Sequence, residues 1–445
     1  MKSPKSFLLA LGIAGGFQVN PALATNPLIL DQFTADPTAR VFEGRIYVYP
    51  SHDILARPGM GRPGWFCMED YHVFSSANLT DWKDHGVIVS QTGVAWADPA
   101  ACSLWAPDCI CKNGKYYFYF PAVAKGGGFK IGVAIADRPD GPFKPEPKPI
   151  DGVQGIDPCV FLDQDGSAYL FYSRRRIFVA KLKANLLELD APPTELENLP
   201  AQGLLEGPFV FERNGIYYLT YPHVERKTER LEYSTSGHPL GPFKPVGVIL
   251  DELPSGCWTV QHSMVEYHGQ WYLFYHDKDL SPSFDKARSI RADRLFFDDD
   301  GTIRKVVPTL RGVGVVKAGS EIQIDRYSAT SGDGVSVSFL NPANTHEGWK
   351  ISLAGKASWV RFDEVDFGRG DLNSVAVRAV SATGGAIEIR LGEADGPLLA
   401  RVDIERGSDW KVIRSTAANI PTGVHDLVVA QVGNDAVDLD WIRFE

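Results

Sequence analysis

A hairpin signature occurs five times in the first two thirds of this chain. In each copy a Gly-centred turn is followed by a strand rich in aromatic residues, a pattern that suits tight turns needing a positive φ and pleated, half-buried strands. The copies recur at intervals of roughly 50 to 70 residues, which indicates the blades of a β-propeller. They are Phe42 to Tyr49, Lys112 to Phe120, Gln164 to Tyr172, Arg213 to Tyr221 and His268 to Tyr275.

The repeats predict an all-β fold with two folded domains. We expect a five-bladed β-propeller over residues 25–316, and the near-duplicate turns Asp140 to Lys144 and Leu240 to Lys244 support the internal repeat. The first blade should close with the last strand, near Ser289 to Phe297, because a sealed ring leaves no free sheet edge. Farther along the chain aromatic residues become rarer, and short alternating strands predict a β-sandwich over residues 317–445.

The N-terminus has the layout of a secretory signal peptide. Lys2 and Lys5 precede a short apolar stretch from Phe7 to Phe17, and Ala22 to Ala24 forms a small-x-small cleavage motif. We therefore expect residues 1–24 to be removed and the mature protein to be periplasmic or extracellular. No later segment reaches the ~20 uninterrupted apolar residues of a membrane helix, so we expect a protein without a membrane span.

Composition excludes some functions and leaves others open. The formal net charge is −10 and there is no extended basic cluster, so nucleic acid is not an expected partner. The six cysteines of a chain with an export signal predict one or two disulfides together with buried thiols. Nothing in the composition indicates assembly, and we expect a monomer.

A polar residue interrupts the apolar run just before four of the five hairpins. These residues are Asp36, Asp157, Glu206 and His262. If the hairpins are propeller blades, the strands before them line the central axis and their polar side chains converge. A single Asp-Pro or Glu-Gly-Pro motif can instead open a strand, with its carboxylate accepting backbone N–H bonds. Three acids at matching positions of a repeated unit favour an enzymatic site.

Paired carboxyl groups in such a place suit glycosidic bond cleavage. The reaction needs one carboxylic acid to protonate the leaving oxygen and a second carboxylate to activate water or to attack. Glu206 has apolar neighbours on both sides, and burial raises the pKa of a carboxyl group, so Glu206 suits the proton donor. A charge on Asp157 would raise that pKa further. This chemistry requires no cofactor.

Three further residues could support such a site. His262 is in register with the acids, which favours an axial role in binding water or a cation over that of a hydrogen-bonded core residue. Trp105 could offer a flat face to a sugar ring. Arg288 lies in the closing strand and could contact substrate hydroxyls or Glu206, although an outward salt bridge fits the sequence equally well.

The order and spacing of these motifs resemble glycoside hydrolase family 43. The resemblance covers residues 28–316 and implies a five-bladed propeller of inverting enzymes, mostly α-L-arabinofuranosidases, β-xylosidases and arabinanases. It implies that Asp36 is the general base, Glu206 the general acid and Asp157 the group that tunes and orients that acid. His262 matches an axial histidine that in many members helps to hold a calcium ion or water. The motifs are Thr34 to Thr38, Trp105 to Asp108, Gly155 to Pro158, Glu206 to Pro208 and His262-Ser263.

The C-terminal region resembles carbohydrate-binding module family 6, a β-sandwich. Trp349 and Trp410 fall where such modules can place aromatic side chains against sugars, although a Trp in a sandwich is as often a core residue. Asp438 departs from an Asn that commonly contacts ligand in the family. The motifs are Trp359 to Gly368, Ile387 to Leu391, Gly423 to Leu427 and Leu439 to Phe444.

These observations predict an exported, inverting glycosidase that acts on hemicellulose. The favoured activity is α-L-arabinofuranosidase on arabinoxylan, because the C-terminal module suits debranching of xylan. The alternatives are a β-xylosidase and an exo-acting arabinanase or galactan-type glycosidase. A propeller that binds glycans without cleaving them stays open as a different class, and a structural calcium ion is a possible addition.

Overall fold

The computed structural model describes residues 26–278, 280–344 and 347–445. The predicted signal peptide, residues 1–24, lies outside these ranges. Strands dominate the described residues, and a short 3-10 helix spans Gln91–Gly93. None of the described residues belongs to a helix long and apolar enough to cross a membrane.

Five antiparallel sheets follow one another along the first domain, one for each hairpin repeat. Each predicted hairpin forms the first two long strands of its sheet, and this confirms the propeller repeat. The first sheet contains β1 Thr34–Phe42, β2 Arg45–His52, β3 Asp70–Ser76 and β4 Lys83–Ser90; the second contains β5 Asp108–Lys112, β6 Lys115–Val123, β7 Phe129–Ala136 and β8 Lys144–Pro145. The third contains β9 Ile156–Leu162, β10 Ala168–Ser173, β11 Ile177–Leu182 and β12 Thr194–Glu195; the fourth contains β13 Leu204–Leu205, β14 Phe209–Arg213, β15 Ile216–Val224, β16 Glu229–Ser236 and β17 Lys244–Leu250; the fifth contains β18 Ser263–Tyr267, β19 Gln270–Asp277 and β20 Ser289–Leu295.

The inner strands of the five sheets form a closed ring. Each of β1, β5, β9, β14 and β18 contacts the next, and β18 returns to β1. Side chains and backbone amides near the axis join each inner strand to the next. The contacts are Arg40 to Asp108, Asp108 to the Val160 amide, Cys159 to the Val210 amide, the Phe209 ring to the His262 ring, and Ser263 to the Ala39 amide.

The ring is closed by the segment that precedes β1. As expected, the last strand closes with the first blade: one edge of β20 pairs with β19 inside the fifth sheet, and its other edge bonds the start of β1 and the residues before it. The amides of Leu28 and Thr34 donate to the carbonyls of Ile290 and Arg288 at 2.9 Å, so residues 26–34 cover the free edge of β20. The fifth sheet thereby gains a fourth, irregular member, and its exposed edge is removed.

The C-terminal domain is a β-sandwich of two six-stranded sheets. Its core consists of Val, Ile, Leu and Phe side chains from the two inner faces, as expected for alternating strands. One sheet contains β21 Val316–Lys317, β23 Ala329–Thr330, β26 Trp359–Asp366, β28 Gly385–Leu391, β29 Leu398–Ile404 and β31 Val424–Val432; the other contains β22 Ile322–Gln323, β24 Val335–Phe339, β25 Trp349–Leu353, β27 Ser374–Val380, β30 Lys411–Thr416 and β32 Val437–Phe444.

All six cysteines are free thiols in the structure, and five of them are buried. The expectation of one or two disulfides is therefore not met. Cys109 and Cys159 lie beside the axis among apolar side chains, and burial raises the pKa of both thiols, to about 12 for Cys159. Such thiols act as small core residues.

Candidate active site

A pocket of about 550 Å³ opens at the end of the ring where the inner strands begin. Every blade contributes to it from the start of its inner strand. The contributors are Asp36 from the first blade, Ala106 from the second, Asp157 from the third, Glu206 from the fourth and Gln261 from the fifth. The three predicted acids thus line one cavity.

Asp36 and Asp157 are aimed into the pocket by the same backbone feature. Each has a positive φ, 49° and 54°, and each is followed by a proline. In both strands one extra residue shifts the pairing register at this point. In β1 the extra residue lies between Ala35 and Thr38, and in β9 it lies opposite Phe171 to Ser173 of β10. Such bulges redirect side chains next to active sites, and a left-handed Asp tolerates the strain better than most residues.

The fourth blade also directs an acid into the pocket through a bulge, but the left-handed residue there is not the acid. Its inner strand is interrupted between β13 and β14, again with one extra residue relative to β15. The left-handed residue before the proline is now Gly207, with a φ of 53°. The acid, Glu206, therefore lies one position earlier and has one more methylene group than the aspartates.

An ion-paired network fixes the Asp36 carboxylate. Arg288 donates from Nη1 to Asp36 Oδ1 at 2.8 Å and from Nη2 to Oδ2 at 3.1 Å, while its Nε bonds Asp53 at 2.9 Å. Ser51 donates to Asp36 Oδ2 at 2.8 Å. Arg288 is 2% exposed and its three nitrogens are all bonded. Its guanidinium therefore positions Asp36 and balances its charge.

A buried histidine fixes the backbone at Asp36. The Asp36 amide donates to His276 Nδ1 at 3.0 Å, and His276 Nε2 lies 2.9 Å from the Thr259 carbonyl. Burial, with a smaller contribution from Arg288, lowers the pKa of His276 to about 3. The ring is therefore neutral, with its proton on Nε2 and an acceptor at Nδ1. Sequence reasoning missed His276, because it follows the aromatic run of β19 without a motif of its own.

The other two acids favour their protonated forms. Burial, followed by repulsion from Glu206 and Asp36, raises the pKa of Asp157 well above its usual range. Burial, then repulsion from Glu229 and Asp36, does the same for the pKa of Glu206. The Gly207 amide donates to Asp157 Oδ2 at 3.1 Å, so the bulge that carries Glu206 also orients Asp157.

A fourth acid, Glu229, was not predicted from the sequence. It begins β16, is 1% exposed and lines the pocket beside Glu206. Its Oε2 accepts the Val260 amide at 2.7 Å, and its carboxyl group is within hydrogen-bonding reach of the Glu206 carboxyl. Burial raises the pKa of Glu229 to about 7. Glu206 and Glu229 form a pair of carboxyl groups in which a shared proton relieves the repulsion.

Aromatic side chains form one wall of the pocket. Trp105 lines it together with Trp65, Phe66 and Trp258, and Phe66 lies nearly parallel to Trp258 with centroids 5.9 Å apart. The loop 54–68 supplies Trp65, Phe66 and Met68 to the pocket, whereas Phe129 packs behind Trp105 with centroids 4.5 Å apart.

His262 lies next to the pocket lining, not in it. It is 1% exposed, and its Nε2 lies 2.6 Å from Thr220 Oγ1. The neighbouring Gln261 lines the pocket instead, because successive residues of an extended strand point to opposite sides. Burial lowers the pKa of His262 to about 3, so the ring is neutral. Its Nδ1 is buried and finds no hydrogen-bond partner among the residues that the structure describes.

The two tryptophans predicted for the sandwich lie in the same sheet. Trp349, at the start of β25, is 41% exposed and stacks on Phe339 with centroids 4.1 Å apart. Trp410 precedes β30 and is half-buried beneath the Arg378 guanidinium. Asp438 accepts hydrogen bonds from Lys350 and Ser352 within this sheet.

Comparison with known proteins agrees with the fold. Residues 24–303 match the model of glycosyl hydrolases family 43, and residues 326–445 match carbohydrate binding module family 6. Xylosidase/arabinosidase 43A of Humicola insolens is 37% identical over 62% of this chain and 98% of its own length. Arabinoxylan arabinofuranohydrolase of Bacillus subtilis is 28% identical over 93% of this chain and 90% of its own length.

A solved structure extends the likeness to three dimensions. A family 43 enzyme from Xanthomonas citri, complexed with xylose, shares 37% identity with this chain and has a TM-score of 0.57, covering 64% of this chain and 94% of that one. The match to the family model includes Asp36, Asp157 and Glu206. The chain belongs to glycosyl hydrolases family 43 and carries a family 6 carbohydrate-binding module after its catalytic domain.

Proposed function

We propose that this protein is an inverting exo-glycosidase that removes arabinofuranosyl units from hemicellulose. The observation that carries the proposal is the meeting of Asp36, Asp157 and Glu206 in one pocket at the end of the propeller ring. A concave pocket with an aromatic wall suits the binding of a terminal sugar unit.

In this mechanism Glu206 protonates the glycosidic oxygen. Its raised pKa keeps the proton in place until the bond breaks. Asp36, ion-paired with Arg288, deprotonates a water molecule that attacks the opposite face of the sugar. Asp157 accepts a hydrogen bond from the Gly207 amide next to Glu206, so it orients the acid, and it interacts electrostatically with Glu206. The protein's own groups supply each proton that the reaction needs.

Two kinds of relatives support different sugars. The Bacillus subtilis arabinofuranohydrolase matches both domains of this chain, which supports α-L-arabinofuranosidase activity on arabinoxylan. A β-xylosidase of Xylanibacter ruminicola is 34% identical over 62% of this chain, which supports β-xylosidase activity as the second candidate. Aryl α-L-arabinofuranoside, β-D-xyloside and galactoside substrates, assayed side by side, decide between them by their kcat/KM values.

Replacement of the proposed acid tests the mechanism. Glu206→Gln should lower kcat/KM on arabinoxylan oligosaccharides by about 10²–10⁴-fold, because the amide has no proton to give. Glu266→Gln is the matched control, since Glu266 is an exposed residue of β18 outside the pocket. Full activity of Glu206→Gln would remove the catalytic assignment.

Export and ion binding complete the proposal. The signal-like segment 1–24 supports a periplasmic or extracellular enzyme. His262 offers a neutral imidazole whose Nδ1 is buried and unsatisfied, which fits a bound water or a water-linked calcium ion beside the axis. Such an ion would be structural. In the sandwich, the exposed face of Trp349 supports contact with a glycan chain.

A further inference from the structure

Three metal-binding side chains gather on the first blade, apart from the catalytic pocket. His52 ends β2, and Asp70 and His72 lie near the start of β3. Ser51 pairs with Tyr71, so His52 lies across from Asp70, and His72 follows two residues later on the same face. One donor atom from each residue lies within 4.8 Å of the other two.

The spacing of the donor atoms suits a small transition-metal ion. His52 Nδ1 is 2.7 Å and His72 Nε2 is 4.0 Å from Asp70 Oδ1. Tetrahedral zinc with bonds of about 2.1 Å holds its ligand atoms roughly 3.4 Å apart, between these two values. Shifts of about an ångström would complete the geometry. The three side chains are 16–22% exposed, so an ion can reach them from solvent.

A fourth residue orients His72 for this role. His72 Nδ1 lies 2.9 Å and 3.1 Å from the two carboxylate oxygens of Asp84, whose Oδ2 also accepts a bond from Gln32 at 3.2 Å. A proton on Nδ1, donated to Asp84, leaves the lone pair on Nε2, the nitrogen that faces Asp70. Metal-binding histidines in proteins commonly have this carboxylate partner on their second nitrogen.

We propose that His52, Asp70 and His72 bind a divalent transition-metal ion of the zinc class, with Asp84 as the positioning residue. Two imidazoles and one carboxylate match the ligand preference of zinc and leave a fourth position for water. Calcium is not the expected ion, because it takes six to eight oxygen ligands.

The site lies at the base of a loop that shapes the catalytic pocket. His52 precedes and Asp70 follows the segment 54–68, which places Trp65 and Phe66 in the pocket wall. An ion bound to both ends would link them and restrict the loop. It would also lie next to Asp53, the partner of Arg288.

The test is zinc binding to the full chain after removal of metals with a chelator. Titration calorimetry with Zn²⁺ alone should show one more bound equivalent in the wild type than in His72→Gln or His52→Gln. Asp84→Asn should keep the stoichiometry but weaken the affinity by about 10–100-fold. At a hundredfold excess over Kd, Zn²⁺ should raise the wild-type Tm by several degrees and leave the Tm of both His variants unchanged.

His85→Gln is the matched control. His85 belongs to the same sheet and also pairs with a carboxylate and a hydroxyl, Asp140 and Ser75. Within the described part of the chain, His85 belongs to no cluster of three metal-binding side chains. It should bind zinc as the wild type does. Equal stoichiometry and equal Tm shifts in the wild type, His72→Gln and His52→Gln would overturn the proposal. So would the absence of zinc binding to the wild type, or Ca²⁺ binding of equal strength at these residues.

Discussion

The carboxyl groups of the pocket differ in charge because their immediate neighbours differ. Asp36 faces a guanidinium that bonds both of its oxygens. Glu206 faces another carboxyl group, that of Glu229, in a largely dry environment. Acid and base roles in enzymes arise from environments that separate two titrating groups in this way. We therefore attribute the protonated state of Glu206 to its burial and to repulsion from Glu229 and Asp36.

Removing the negative charge of Glu229 should shift the pH dependence of catalysis. Glu206 must be protonated to act as the acid, so activity falls as the pH rises through its pKa. Glu229→Gln removes the repulsion that raises this pKa. The alkaline limb of kcat/KM should therefore move to lower pH.

The matched control for this experiment is Glu232→Gln. Glu232 lies on the same strand, β16, but pairs with His223 and Arg230 away from the pocket. Its replacement should leave the alkaline limb in place. If the alkaline limb of kcat/KM were unchanged in Glu229→Gln, Glu229 would have no electrostatic effect on the catalytic acid.

Position in the repeat was enough to predict Asp36, Asp157 and Glu206 from the sequence. Glu229 and His276 could not be predicted this way, since they belong to β16 and β19, which are not the inner strands of their blades. Glu229 lies in the pocket and His276 beside it, because β16 begins and β19 ends at this end of the ring. No repeated motif in the sequence marks these two positions. For Arg288 the sequence left open a contact with substrate hydroxyls, a contact with Glu206 or an outward salt bridge; the residue lines the pocket, and its guanidinium bonds Asp36 and Asp53.

At the scale of the strand, a similar β-bulge recurs in the inner strands of three blades. A single extra residue interrupts the inner strand, and a left-handed residue precedes a proline. In the first and third blades that residue is the acid itself. In the fourth it is Gly207, and the longer Glu206 acts from the position before it. The sequence shows the Asp-Pro and Gly-Pro pairs, but the bulge becomes visible only in the pairing register.

Gly207→Ala should damage the pocket more than the fold. A Cβ at Gly207 would lie 1.7 Å from Gln261 Oε1 and 3.1 Å from Pro222, so the Gln261 side chain must move. The left-handed φ should cost about 1 kcal/mol of unfolding free energy. We expect kcat/KM to fall at least about tenfold, as measured on an aryl glycoside.

Gly215→Ala separates backbone strain from the clash. Gly215 has a φ of 79°, and a Cβ there meets nothing within 4 Å. Its variant should lose a similar amount of stability and keep its activity. If both variants lost activity equally, the contact with Gln261 would not be the cause.

At the scale of the molecule, the N-terminal segment closes the propeller. Asn26 is fully buried, donates to the Ala292 and Thr309 carbonyls at 3.0 and 2.9 Å, and accepts the Ala292 amide at 2.9 Å. The five blades and their ring could be predicted from the hairpin repeat. The role of the segment before β1 could not, because it forms no regular strand and part of its bonding comes from the Asn26 side chain.

Asn26→Ala should destabilise the propeller by about 3 kcal/mol, because it leaves buried backbone groups of β20 unsatisfied. Urea unfolding, monitored by tryptophan fluorescence, should show a lower midpoint with an unchanged slope. Asn185→Ala is the control, since Asn185 is exposed and bonds Glu188 at the surface. Equal midpoints for the two variants would contradict the closing role.

The sandwich is joined to the propeller by charged contacts near this closing segment. Arg294 of β20 bonds Glu364 at 2.6 Å, Arg311 donates to the Asp363 carbonyl at 2.9 Å, and Arg326 donates to the Asn26 carbonyl at 3.1 Å. The sequence predicted two domains but not this interface, because its residues are distant in the chain. The module therefore contacts the ring at its closing blade.

The anomeric configuration of the first product tests the central claim most directly. Proton NMR of the released sugar, recorded within seconds to minutes of adding enzyme, distinguishes the two anomers before they equilibrate. The opposing roles of Asp36 and Glu206 predict that the first sugar has the configuration opposite to that of the cleaved bond. A first product with retained configuration would contradict those roles.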